Sequence, residues 1–204
     1  MYFRPPKFIT KLFPGFIWSF PEETDSVFLT FDDGPNPEVT PWVLEQLRKY
    51  NAKATFFCLG KNVEMYPETF KMILDEGHAV GNHTYSHQKG WSMSVGGYIQ
   101  DVDLADTFIH STLLRPPYGR IKPSQAKVLA ERYKIIMWDT LSRDYSRTLS
   151  RRGCVNNVIK VLRPGAIIVF HDSFKAEKNL RYALPRVLDY IQNVKGYRMR
   201  SIEY

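Results

Sequence analysis

Two adjacent carboxylates, Asp32 and Asp33, leave an apolar run and meet a Gly-Pro turn in TFDDGP (30–35), and ionised side chains so placed repel unless a cation stands beside them. Asp-Gly-Pro is also ordinary turn chemistry. HTYSH (83–87) sets His83 and His87 four apart, on one face of any helical turn and within reach of one metal ion. Surface histidines share that spacing, and no Glu follows His83 as a zincin motif requires. Asp33 supplies the missing carboxylate. The resulting Asp, His, His set leaves coordination positions open for water and substrate, as catalytic zinc sites do.

Three further blocks add chemistry. RPPYG (115–119) puts the permanent cation Arg115 before two stiffening prolines, where it can hold a carboxylate ionised. WDTLSRDY (138–145) offers Asp139 and Asp144, with Trp138 and Tyr145 able to wall a sugar-sized cleft. GAIIVFHD (165–172) delivers His171 from a buried run, and an imidazole exchanges protons near neutral pH.

The elements that must position these residues alternate β-rich runs with stretches of helical spacing. Strands are predicted at 26–31, 53–59, 78–82, 111–115, 134–138, 165–170 and 197–203. Helices are predicted at about 40–50, 66–76, 95–109, 123–132, 151–162 and 180–194. Thr40 is the expected cap of the first helix, and Pro185 is expected to kink or delay the last. Strands joined by helical crossovers are parallel, and a full eight-unit barrel needs about 250 residues. A 204-residue chain fits an α/β fold with a distorted or incomplete (β/α)7 barrel. Asp32, Asp33, His83, Arg115, Asp139 and His171 then all sit at carboxyl ends of strands, the face on which such barrels carry their chemistry.

Composition sets the remaining bounds. Hydrophobic residues make up 44% and charged residues 24%, which excludes a disordered or fibrous chain and fits one core. The net charge of +7 permits anionic partners, but solubility explains it equally and no nucleic-acid partner is expected. Residues 21–111 hold six basic and 14 acidic side chains, residues 112–204 19 and seven, so one wall is expected to be basic. Cys58 and Cys154 are expected as buried thiols. No G-x-S-x-G elbow or phosphate-binding loop occurs. Lys7, Lys11 and Pro14 interrupt the apolar stretch of residues 1–20, so no signal peptide is read and a cytoplasmic location is expected. Residues 1–24 are expected as an amphipathic segment ahead of a catalytic domain at 25–204. Within it, Phe8, Ile9, Leu12, Phe13, Phe16, Ile17 and Trp18 with Arg4, Lys7 and Lys11 suit either an anionic membrane face or packing against the domain.

These blocks, in this order, resemble the polysaccharide deacetylase family, the NodB homology domain of carbohydrate esterase family 4, over residues 25–204. The resemblance implies a hydrolase that removes N-acetyl groups from an N-acetylglucosamine-type polysaccharide, peptidoglycan, chitin or glycolipid. It implies Asp32 as catalytic base, Arg115 as its tether and His171 as general acid. Asp33, His83 and His87 would hold a divalent metal, zinc first, with cobalt, nickel or manganese as alternatives. Tyr118 would offer its backbone N–H to the oxyanion, with Pro117 beside it, and Trp138 and Tyr145 would face the substrate. Many members carry D-x-x-D-W in the fourth block, where this chain has Leu141, Asp144 and Tyr145. The first Asp, which usually orients the acid histidine, is missing, and Asp139, two residues earlier, is expected to substitute. If it does not, the alternative is a glycan-binding homologue that lost turnover. An Fe(II) facial triad would use the same ligand types but calls for an antiparallel double sheet.

Overall fold

The computed structural model describes residues 5–204, without the side chains of Lys7 and Ile9. Arg4 of the expected membrane-facing set lies outside the described residues, as do those two side chains. β1 (Ser26–Asp32) and β2 (Ala54–Cys58) are buried along their whole length, as parallel strands covered on both faces must be. β3 (Ala79–Asn82), β4 (Leu113–Leu114) and β5 (Lys134–Ile135) continue outward from β2. On the other side of β1 lie β7 (Ile167–His171) and then β6 (Thr140–Leu141), giving the order β5-β4-β3-β2-β1-β7-β6, and β8 (Arg198–Met199) pairs with β1 below. Every pairing between these strands is parallel, which removes the antiparallel oxygenase reading.

The helices are α1 (Lys7–Leu12), α2 (Val39–Lys49), α3 (Gly60–Met65), α4 (Pro67–Asp75), α5 (Val95–Ile109), α6 (Pro123–Leu129), α7 (Arg151–Ile159) and α8 (Glu177–Asp189). Ser94 and Ser150 cap α5 and α7 by accepting the amides of Gly97 and Gly153. Thr40 does not cap α2. Asn36 Oδ1, ahead of the helix, accepts the Glu38 and Val39 amides, while the Thr40 hydroxyl accepts the Asn36 amide at 2.8 Å and donates to Asp172 beneath the site. α8 begins three residues earlier than expected and runs through Pro185. Cys58 and Cys154 are free and buried.

β5 and β6 do not pair with each other, so the barrel has a seam, and the chain itself closes part of it. Ile17 donates to Ile135 O at 2.9 Å and accepts from Met137 N at 2.7 Å, while Phe20 donates to Gly165 O at 2.8 Å. Gly165 is required there: its φ is +75° and a Cβ would lie 1.9 Å from Phe20 O. Phe16 and Trp18 pack against the cluster around Tyr98, Leu114 and Leu129. Phe16, Ile17 and Trp18 of the N-terminal apolar set are thus committed to the barrel wall, whereas Phe8 and Leu12 on α1 stay 66% and 68% exposed.

Candidate active site

The polar residues picked out by type and spacing meet at the carboxyl end of the sheet, around a cavity of about 250 Å³. Asp32 and His171 are register partners at the ends of β1 and β7, so both project from one level of the barrel. Asp32 is buried and its Oδ1 lies 2.7 Å from Arg115 Nη1. Arg115 has no exposed surface. It also donates to Thr30 Oγ1 at 2.7 Å, to Ile136 O at 3.2 Å and to Met137 O at 2.9 Å, and its guanidinium lies 4.0 Å from the centre of the Phe57 ring. One cation, anchored to three neighbouring segments, fixes the carboxylate.

After Asp32 the backbone turns sharply, with Asp33 at φ 79°, a left-handed conformation that non-glycine residues adopt only when their surroundings impose it. Here they do. Asn62 Nδ2 donates to Asp33 O at 2.7 Å, and the buried Asp172 accepts from Gly34 N at 3.1 Å and from the Thr40 hydroxyl at 2.5 Å. Burial pushes the Asp172 carboxyl up to about 8, against the hydrogen bond from Thr40.

His83 and His87 do not share a helical turn, as their spacing suggested. Left-handed residues at Thr84 (φ 65°) and His87 (φ 59°) curl the loop instead, with Thr84 N held by Asn82 Oδ1 at 2.8 Å and His87 N by Thr84 Oγ1 at 3.1 Å. His83 Nδ1 is 2.7 Å from Arg115 O, which turns Nε2 toward the cavity. Asp33 Oδ1 lies 3.7 Å from His83 Nε2 and 3.1 Å from His87 Nε2, and ligand atoms of all three residues lie within 4.8 Å of one another. Burial drives His83 down to about 4, so its imidazole is neutral and able to ligate. On Asp33, burial acts upward, yet the hydrogen bond with His87 and the nearby histidine charges hold the carboxyl well below its usual range. A neutral imidazole beside an ionised carboxylate, with a second imidazole in reach, is a donor set that fits a divalent cation.

His171 Nδ1 lies 2.8 Å from Asp144 Oδ1, and the other oxygen of the same fully buried carboxylate accepts the His171 amide at 2.8 Å. Burial would lower the imidazole, but the charge and hydrogen bond of Asp144 raise it to about 9. Asp139 does not take this place. It ends in an ion pair with Arg163 at 2.8 Å, because the chain bends between β5 and β6 to cross the seam and the extended geometry assumed for Asp139 is lost. The orienting carboxylate is the second acid of the fourth block, brought under His171 by the turn at Arg143 (φ 61°).

Pro116, Tyr118, Trp138, Leu141, Tyr145, Val169 and Lys175 complete the cavity wall. Pro117 is buried beneath it, opening the turn that places Tyr118 at φ 59°. Asp144, Asp172 and Lys175 had no assigned role in the sequence reading.

The sequence profile of the polysaccharide deacetylase family matches residues 21–133, the stretch that supplies Asp32, Asp33, His83, His87 and Arg115. The chain belongs to this family. Two peptidoglycan-N-acetylglucosamine deacetylases of Bacillus cereus are similar to this chain. One is 36% identical over 166 residues, 78% of this chain and 60% of the relative. The other is 33% identical over 193 residues, 91% and 90% of the two chains. Among solved structures, a peptidoglycan N-acetylglucosamine deacetylase in complex with 4-naphthalen-1-yl-N-oxidanyl-benzamide gives a TM-score of 0.83 at 33% identity, covering 92% of this chain and 91% of that one. A CE4 family pseudoenzyme from Bacillus anthracis gives 0.77 at 26% identity, covering 91% and 66%.

Proposed function

We propose that this protein is a divalent-metal-dependent deacetylase that removes N-acetyl groups from an N-acetylglucosamine-type glycan, free or carried on peptidoglycan or lipid. The observation that carries the reading is the placement of Asp32 and His171 at one level of adjacent strands beside the Asp33, His83 and His87 donors, each with its own buried counter-ion. A cation held by those three residues, zinc in the first instance, would polarise the acyl carbonyl and acidify the attacking water.

The remaining steps belong to the chain. Asp32, kept in place by Arg115, accepts a proton from the water as its oxygen bonds to the acyl carbon. The left-handed turn at Tyr118 presents that residue's amide to the carbonyl oxygen, as an oxyanion donor. His171 keeps Nδ1–H on Asp144 and gives the proton on Nε2 to the amide nitrogen as the C–N bond breaks. Trp138, Leu141 and Val169 keep the acyl methyl dry. Acetate and a free amino sugar leave.

The alternative, a glycan-binding homologue without turnover, drew its support from the incomplete fourth block. The Asp144–His171 pair supports turnover over it, since the acid histidine keeps a carboxylate partner. Acetate release from N-acetylglucosamine oligomers, assayed with zinc-loaded protein, tests the proposal. Release that disappears in Asp32→Asn is expected, and no release from any glycan or glycolipid overturns it. We also propose a peripheral contact between exposed Phe8 and Leu12, beside Lys11, and an anionic membrane face.

A further inference from the structure

Two lysines lie on tyrosines of the cavity wall, and among the described residues neither has a carboxylate partner. Lys175 lines the cavity, with Nζ 5.4 Å from the centre of the Tyr145 ring, and Lys89 Nζ lies 5.2 Å from the centre of the Tyr118 ring. The two tyrosines rest in turn on the imidazoles of the site: Tyr118 lies 4.7 Å from His87, and Tyr145 meets His171 edge-on at 4.9 Å. Each rim is therefore the same stack, imidazole, then phenol, then ammonium, once on the β3–β4 side and once on the β6–β7 side. Among the described residues neither Lys89 nor Lys175 enters an ion pair, in contrast to the pairs Lys49–Glu45 and Lys71–Asp75 but in common with most other lysines.

Their surroundings keep them unpaired. Residues 86–94 and 115–130 contain no Asp or Glu, and the acid nearest Lys175 in sequence, Glu177, is bound to Arg181 at 2.8 Å. The ledge that carries Lys89 is also rigid: Gly90 N bonds Arg120 O at 3.0 Å, Trp91 Nε1 bonds Ile121 O at 3.1 Å, and the Arg120 guanidinium lies 5.1 Å from the centre of the Trp91 ring. Cations laid on fixed aromatic faces at a cavity mouth attract anions and leave the rings to stack on sugar.

Resting on the deacetylase reading, we infer that the substrate is an acidic glycan. The reacting sugar lies between Tyr118 and Tyr145, and anionic substituents on its neighbours or on its own reducing end meet Lys89 and Lys175. These two lysines are specificity residues and take no part in the chemistry.

Three probes decide it: a tetrasaccharide of alternating N-acetylglucosamine and N-acetylmuramic acid, chitotetraose 1-phosphate, and chitotetraose itself. The wild-type kcat/KM is expected to favour at least one acidic probe over the neutral one, and which one identifies the anion. The acidic-to-neutral ratio is expected to fall about fivefold in each of Lys89→Gln and Lys175→Gln, the scale of an exposed charge pair, and to shrink with added salt. Equal kcat/KM on all three probes, or losses of the same factor on acidic and neutral probes, overturns the inference while the deacetylase reading stands. Binding of the same probes to Asp32→Asn protein reads the preference without turnover. An acidic preference there without acetate release from wild-type protein would refute the deacetylase reading and uphold the lysine ledge.

Discussion

At the cavity floor Arg115 has no exposed surface and bonds one carboxylate, one hydroxyl and two carbonyls; at the rim Tyr118 is 52% exposed, held by its ring contact with His87 and by Lys89. The floor groups have partners fixed by strand register, so a buried charge there has a single arrangement that satisfies it. The rim groups have backbones pinned from below and side chains open to whatever enters. Reactivity is thus assigned to buried pairs, Arg115–Asp32 and Asp144–His171, and selectivity to exposed stacks.

Substitutions sharpen that division, beginning with the floor. Asp32→Asn is expected to cut acetate release by about 10²–10⁴-fold, the range for loss of a general base, and to lower the thermal midpoint, because the buried Arg115 loses its carboxylate partner. An effect under tenfold would place the base elsewhere. Arg115→Met strands the buried Asp32 carboxylate, and urea unfolding is expected to register about 3–5 kcal/mol of lost stability. A loss below 1 kcal/mol would show that water reaches the floor.

Asp144→Asn acts through charge. His171, raised to about 9 in the native chain, is protonated at neutral pH, so kcat/KM is expected to fall as pH rises through that value. Without the Asp144 charge, burial prevails and the alkaline limb moves to lower pH. The same pair stabilises the fold fully below the unfolded imidazole value of 6.5, and that contribution is lost as pH climbs through about 9. An unmoved limb in the variant would remove Asp144 from its role. The smallest effect belongs to the exposed N-terminal helix: Phe8→Ser with Leu12→Ser should lower flotation with anionic liposomes while leaving acetate release from soluble oligomers intact. Equal flotation would discard the membrane contact.

Much of the floor was legible because motif and strand end coincide. Asp32, Arg115 and His171 each follow a β-rich run, and the parallel sheet brings those ends together. The orienting carboxylate was misassigned for a physical reason. Counting along an extended strand makes Asp139 a fair substitute for the missing acid, but residues 134–141 leave β5, cross an unpaired seam and rejoin the sheet as β6, and no periodicity marks such a bend. The signal that points to Asp144 was its own register as the second acid of the block. The two-residue β6 and the six-residue α3 are too short for hydrophobic periodicity to mark. Asp172 was unreadable in another way, since its role depends on Gly34 and Thr40, which are far from it in sequence. The seam filled by residues 17–20 turned an apparently amphipathic segment partly into core.

The central claim is that Asp33, His83 and His87 hold one cation on which Asp32 and His171 depend. Its most direct test is to strip the protein with chelator and titrate zinc back while following acetate release from an N-acetylglucosamine oligomer. Activity should return in proportion and level off at one ion per chain, with His83→Ala neither binding nor turning over; full activity after stripping, or in His83→Ala, would contradict it.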